Sequence, residues 1–142
     1  MPRSKLSETV QQQVPDRACY LCEFCHASEQ WQHVRFAVDH LMPLSLGGSN
    51  DLHNLALACF HCNRRKTNRV TAIDPISNDE VPLFNPRQDN WSNHFNWSED
   101  QLTIVGLTAI GRATVIAIAL NRERVIAIRS ADLAIGRHPP AT

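Results

Sequence analysis

The sequence predicts an α+β protein: a small strand–turn–strand–helix module braced by a four-cysteine metal site, with a mixed, mainly helical C-terminal extension. Three observations carry this. Two Cys-x-x-Cys pairs, Cys22/Cys25 and Cys59/Cys62, frame residues 26–58. Between them lie an alternating stretch, a Gly-Gly turn cluster and a short apolar run. From Gly111 to Ala134, apolar residues recur at roughly helical spacing.

Residues 1–18 form a polar lead-in, helical or loose, with Gln11, Gln12 and Gln13 at its centre. The segment has no apolar core and so does not read as an export signal. No apolar run approaches the roughly 20 residues that span a bilayer, so the expectation is a cytoplasmic protein without a membrane segment. The chain is 43% hydrophobic, enough to bury a core, which excludes global disorder. Its formal net charge is zero. A pure nucleic-acid binder usually carries a basic excess, so any contact with a polyanion must come from a local patch.

Residues 19–70 are the expected core, and they hold all five cysteines and five of the seven histidines. Val34, Phe36 and Val38 alternate with Arg35, Ala37 and Asp39, the period of a half-buried strand, which Pro43 ends. Gly47-Gly48-Ser49-Asn50-Asp51 is a turn cluster, and Leu55 to Ala58 suits a return strand. Asn63 to Asn68 is polar and basic and suits a short helix leaving the second cysteine pair.

Residues 71–142 form the extension. Pro75, Pro82 and Pro86 rule out a long helix between Ile73 and Asn90. Trp91, Phe95 and Trp97 supply aromatic mass, read as packing this arm onto the core in preference to stacking on bases. Leu102 to Leu107 reads as a strand, and Gly111 to Ala134 as two helices broken near Asn121, a competent cap. There is no internal repeat.

Two Cys-x-x-Cys turns in a chain without an export signal indicate metal ligation rather than disulfides. Together Cys22, Cys25, Cys59 and Cys62 can surround one tetrahedral, structural zinc. Cys19 offers a competing pair with Cys22, but Cys25 opens the Cys-His-Ala-Ser segment that a knuckle turn uses, so Cys22 with Cys25 is preferred. His26 and His61 are substitute ligands in principle. The rival is a set of buried, unligated thiols.

The run Cys22-Glu23-Phe24-Cys25, Val38-Asp39-His40-Leu41-Met42-Pro43-Leu44-Ser45-Leu46-Gly47-Gly48, Asn54-Leu55 and Cys59-Phe60-His61-Cys62-Asn63-Arg64-Arg65-Lys66 resembles the HNH endonuclease family. The resemblance covers about residues 20–69. It implies a ββα-metal fold, an antiparallel hairpin crossed by a helix with the active site between them. It also implies metal-dependent hydrolysis of DNA phosphodiester bonds, leaving 5′-phosphate and 3′-hydroxyl ends.

Under that resemblance His40 is the general base, and imidazole is the side chain whose ordinary titration lies nearest neutrality. Asp39 and Asn63 would hold the catalytic cation, and such oxygen donors suit magnesium or manganese. Asn63 stands where many members have histidine. Asn54 matches the family's middle letter and would hold the hairpin and fix the base by hydrogen bonding. For Asp39, Asn54 and Asn63 the plainer alternatives are turn and cap roles, and for His40 a packed strand-end histidine.

Arg64, Arg65, Lys66 and Arg69 follow on the same helix and read as phosphate contacts, with a solvated helix face as the alternative. Arg112, Arg122, Arg124 and Arg129 stand open as an extension of that track, and His53 as a further phosphate contact. The expected partner is DNA, with specificity left to a homodimer or a separate partner. The rival function is a catalytically silent zinc module that only binds nucleic acid.

Overall fold

A computed structural model describes residues 6–141 of the chain. The parts of the lead-in and of the C-terminal extension at residues 1–5 and 142 lie outside the described residues. The described chain forms two compact units. One runs to Val70 and takes in Asn85–Gln88; the other comprises Thr71–Phe84 and continues from Asp89.

The first unit opens with α1 (Glu8–Arg17), started by Ser7, whose hydroxyl accepts from the Val10 N–H at 3.2 Å. Val14 is its buried residue. At the last turn Arg17 donates to the carbonyls of Leu52 and Leu55 at 2.9 and 2.7 Å. This ties the helix to the start of the return strand. The strands β1 (Ala37–His40) and β2 (Leu55–Ala58) pair antiparallel, Ala37 opposite Ala58 and His40 opposite Leu55.

All four residues of β2 are buried, because α1 and α2 (Phe60–Lys66) both pack on it. Full burial of Leu55 and of Leu57 stabilises the unit by about 1.5–3 kcal/mol each. The segment at Cys22 runs beside β2 as well. Glu23 donates its N–H to the Leu57 carbonyl at 2.8 Å, and its carboxylate accepts the Leu57 N–H at 2.8 Å. Arg87 pairs with the other oxygen of Glu23, which explains why Asn85–Gln88 belongs to this unit.

The outgoing strand is shorter than the alternation predicts. It begins at Ala37, while Val34 is 67% exposed. The Glu29 carboxylate accepts the Phe36 N–H at 2.6 Å, which diverts this donor from the strand ladder. The phase is also reversed at the strand's end, for Asp39 is buried and Val38 is only half-buried. A charged partner from α2, described below, turns Asp39 inward.

Among the described residues the second unit contains two hairpins and three α-helices. Strands β3 (Thr71–Ile73) and β4 (Glu80–Pro82) pair antiparallel across a turn organised by Asp74. The buried Asp74 carboxylate accepts from the backbone of Ile76 and Ser77, from the Ser77 hydroxyl, and from Nε and one terminal nitrogen of Arg112 at 2.9 and 2.8 Å. Helix α3 (Trp91–His94) leads into β5 (Phe95–Trp97), which pairs with β6 (Ile104–Gly106). Trp91 makes ring contacts with Phe95 and Trp97, and Phe84 meets Phe95 edge-on.

Helices α4 (Ala109–Ala117) and α5 (Glu123–Ala134) follow, the first capped by Thr108. The predicted break between them is present, but Asn121 is not the cap. Its amide bonds the N–H and carbonyl of Ile104 at 2.7 and 2.8 Å, fastening β6, and Arg122 stands at the start of α5. Among the described residues no helix is long and apolar enough to cross a membrane.

Candidate functional site

The four cysteines converge as their spacing predicts. The Sγ atoms of Cys22, Cys25, Cys59 and Cys62 all lie within 4.8 Å of one another, and all four residues are buried. Each pair closes its own turn: Cys25 N–H points to Cys22 Sγ at 3.5 Å and Cys62 N–H to Cys59 Sγ at 3.4 Å. In the second turn Cys59 doubles as the N-cap of α2.

The Cys25 and Cys59 sulfurs are 3.7 Å apart, far beyond a disulfide's roughly 2 Å. Sulfurs at about 2.3 Å from a tetrahedral zinc are separated by about 3.8 Å, so the donor set and its spacing fit that ion. Hydrogen bonds from the other three sulfurs, that of Cys22 foremost, hold the Cys59 thiol far below its ordinary range, while burial pushes Cys22 up. Cys19 is exposed and outside the cluster, and His26 and His61 lie outside it too.

Between β1 and β2 the chain makes a long loop closed by one side chain. The Asn54 Oδ1 accepts the Met42 N–H at 2.9 Å, and its Nδ2 donates to the carbonyls of Met42 and Ser49 at 3.0 and 2.8 Å. Its own carbonyl accepts the Leu41 N–H at 2.9 Å. The amide thus prolongs the ladder beyond the His40–Leu55 pair by imitating a backbone partner. The glycines make this closure possible. Gly47 has φ +90°, and a Cβ on Gly48 would lie 1.8 Å from the Met42 carbonyl oxygen.

Asp39 and His40 stand at the end of β1, beside this loop. The Asp39 side chain is 5% exposed and faces Lys66, the last residue of α2, whose side chain is 2% exposed. Lys66 Nζ lies 3.1 Å from Asp39 Oδ2 and 3.5 Å from Oδ1, and it donates to the His40 carbonyl at 3.3 Å. The Oδ2 contact is an ion pair without hydrogen-bond alignment, so this buried oxygen accepts no hydrogen bond among the described residues. Burial pushes the Asp39 carboxyl above its ordinary range, and Lys66 opposes that shift. Asn63 is one helical turn before Lys66 and shares its face of α2.

His40 is half-buried, and its Nε2 is 2.8 Å from the Oδ1 of Asn50. Sequence reasoning assigns the fixing of this ring to Asn54. In the structure both polar atoms of that amide serve the loop backbone, and Asn50 faces the ring. Asn50 carried no signal beyond its place in a turn cluster, because nothing local reveals that the loop folds back across ten residues.

Lys66 is a second correction. It cannot be a surface phosphate contact, since its ammonium is buried against Asp39. Arg64, Arg65 and Arg69 remain exposed. His61, Arg64 and Arg65 line an open hollow on the outer face of α2, and the Arg64 guanidinium lies 5.7 Å from the centre of the exposed Phe60 ring. His53 is also exposed.

Two arginines of the extension are structural rather than free for phosphate. Arg112 is bound to Asp74, and Arg129, 4% exposed, donates to the carbonyls of Leu102 and Leu120 and stacks on Trp97. Arg122 donates to the Ala119 carbonyl at 3.0 Å, and Arg124 is exposed.

No curated protein and no solved structure matches the chain. A protein-family model does, over the segment that carries the cysteine cluster, the hairpin and α2. Over residues 22–69 the chain is similar to the HNH endonuclease family.

Proposed function

We propose that the protein is a metal-dependent DNA endonuclease in which His40 is the general base and Asp39 and Asn63 hold the catalytic cation. The domain match supports nuclease-type activity on nucleic acid. The observation that carries the finer reading is the juxtaposition at the end of β1. A half-buried histidine is held through one ring nitrogen, beside a buried carboxylate with one oxygen free of hydrogen bonds.

Phosphodiester hydrolysis needs a water stripped of a proton, a cation against the crowded phosphate, and help for the departing oxygen. His40 removes the proton as the water oxygen bonds to phosphorus, and the bond to the 3′-oxygen breaks. Asp39 and Asn63 offer hard oxygen donors suited to magnesium or manganese, which when bound would neutralise charge on the phosphate. Arg64 and Arg65 draw the phosphate backbone onto α2 without reading sequence. The four cysteines take no part in the chemistry; they hold α2 against the hairpin.

A second reading draws on the Lys66–Asp39 pair. An ammonium already neutralises the carboxylate that a cation requires, as a zinc module that binds nucleic acid without cutting it could tolerate. End-sequencing of the products from a mixed DNA substrate with magnesium or manganese separates the two. The nuclease reading predicts new ends bearing 5′-phosphate and 3′-hydroxyl groups; recovery of intact DNA that the protein nevertheless binds favours the silent module.

A further inference from the structure

We propose that Asn50 is a positioning residue for His40, and that Asn54 acts on the site through it. The inference rests on the reading of His40 as the base. Rotation about the bond joining an imidazole to its Cβ is soft, so a strand-end histidine needs a partner to hold its ring. The Asn50 Oδ1, 2.8 Å from Nε2, is that partner. Ser49, the preceding residue, has its carbonyl held by Asn54 at 2.8 Å, and its hydroxyl accepts the Asp51 N–H at 3.2 Å. Asn50 is thus presented from a turn fastened on both sides. The chain of contacts runs from the Asn54 amide through Ser49 to Asn50 and the ring.

The bond also selects a tautomer. An amide oxygen only accepts, so the neutral ring facing it carries its proton on Nε2 and keeps the lone pair on Nδ1. No hydrogen bond to Nδ1 is present among the described residues. The arrangement assigns Nδ1 as the atom that takes the proton from water, and Nε2 as the anchor. Without Asn50 the ring would exchange tautomers and turn, and only part of the population would present the working nitrogen.

The test uses the zinc-loaded full chain. Nitrogen-15 shifts of the His40 ring, measured without magnesium, should show the Nε2–H tautomer in the wild type. A mixture is expected in Asn50→Ala and the Nε2–H form again in Asn50→Asp, which keeps an acceptor at that place. In cleavage assays Asn50→Ala should lower kcat about ten- to a hundredfold, the usual effect of losing an orienting partner, with KM for DNA unchanged. Asn50→Asp should recover most of the rate, and Asn50→Ala should add no loss to His40→Ala.

An active wild type whose ring carries its proton on Nδ1 would overturn the inference. So would Asn50→Ala with unaltered tautomer and kcat, or a loss that Asn50→Asp does not repair. A wild type in the Nε2–H form that cuts no DNA would instead overturn the functional reading, and the catalytic role of Asn50 with it.

Discussion

Lys66 Nζ lies 3.1 Å from Asp39 Oδ2, with the two side chains 2% and 5% exposed. A buried charge stripped of its partner typically costs about 3–5 kcal/mol. Lys66→Met should therefore destabilise the first unit by about that amount. If Asp39 is a cation ligand, magnesium or manganese should restore part of the loss. Thermal melts would then show a larger metal-induced rise in Tm for Lys66→Met than for the wild type. Equal responses, or none, would remove the cation from Asp39.

Purified protein should contain one zinc per chain, held by Cys22, Cys25, Cys59 and Cys62. Metal binding and folding are coupled in small domains, so Cys59→Ser should lose both the zinc and the fold of the first unit. Cys19 is exposed and outside the cluster, and Cys19→Ser should keep both. Elemental analysis and circular dichroism of the two variants check this; zinc lost from Cys19→Ser would reassign the ligands.

Replacing Arg64 and Arg65 with alanine should weaken binding to all DNA sequences alike. Each neutralised phosphate contributes about 0.9 to the slope of log affinity against log salt, so the slope should flatten by about two. Fluorescence anisotropy across a salt series measures it. An unchanged slope would make this face of α2 merely solvated.

Much of the metal site and of the hairpin could be read from residue identity because the information was local. A Cys-x-x-Cys turn needs only its own residues, and the apolar run Leu55–Ala58 is buried throughout. The misplacements share a different cause. Lys66 and Asp39 are 27 residues apart, and His40 and Asn50 are joined only after the loop has closed. The hairpin β3–β4 was hidden for a like reason: its turn depends on Asp74 meeting Arg112, 38 residues away. Three-residue strands of mixed polarity carry little pattern of their own.

Asp74 also gives the second unit an acid dependence. Its bonds to Arg112, then to Ser77 and the turn backbone, hold its carboxyl well below the ordinary value of 3.8. The unfolded chain then binds the proton more readily, so this stabilisation is present above that value and is lost as pH falls through it towards the folded value. Urea midpoints at about pH 6 and pH 3 should differ more for the wild type than for Asp74→Asn. Equal differences would show that Asp74 is not the group responsible. Asp39, shifted upward by burial, has the opposite sign, disfavouring the fold as pH rises through its folded value.

Asn54 closes the loop with three hydrogen bonds from a side chain 8% exposed. Asn54→Ala leaves those backbone groups of Met42 and Ser49 without their partner, at about 1–3 kcal/mol for each one that stays buried. The variant should keep its zinc, lose stability by that order in urea titrations, and lose most cleavage because Asn50 is no longer presented to His40. Full activity in a destabilised Asn54→Ala would confine the residue to a structural role.

The role of His40 is tested most directly by comparing plasmid cleavage by the wild type and by His40→Ala at saturating magnesium or manganese. A general base commonly contributes about 10²–10⁴-fold. The variant should therefore fall by that factor at every metal concentration, with zinc content, fold and DNA affinity unchanged. Cleavage by His40→Ala at the wild-type rate would contradict the account and place the base elsewhere, with the exposed His53 the next residue to replace.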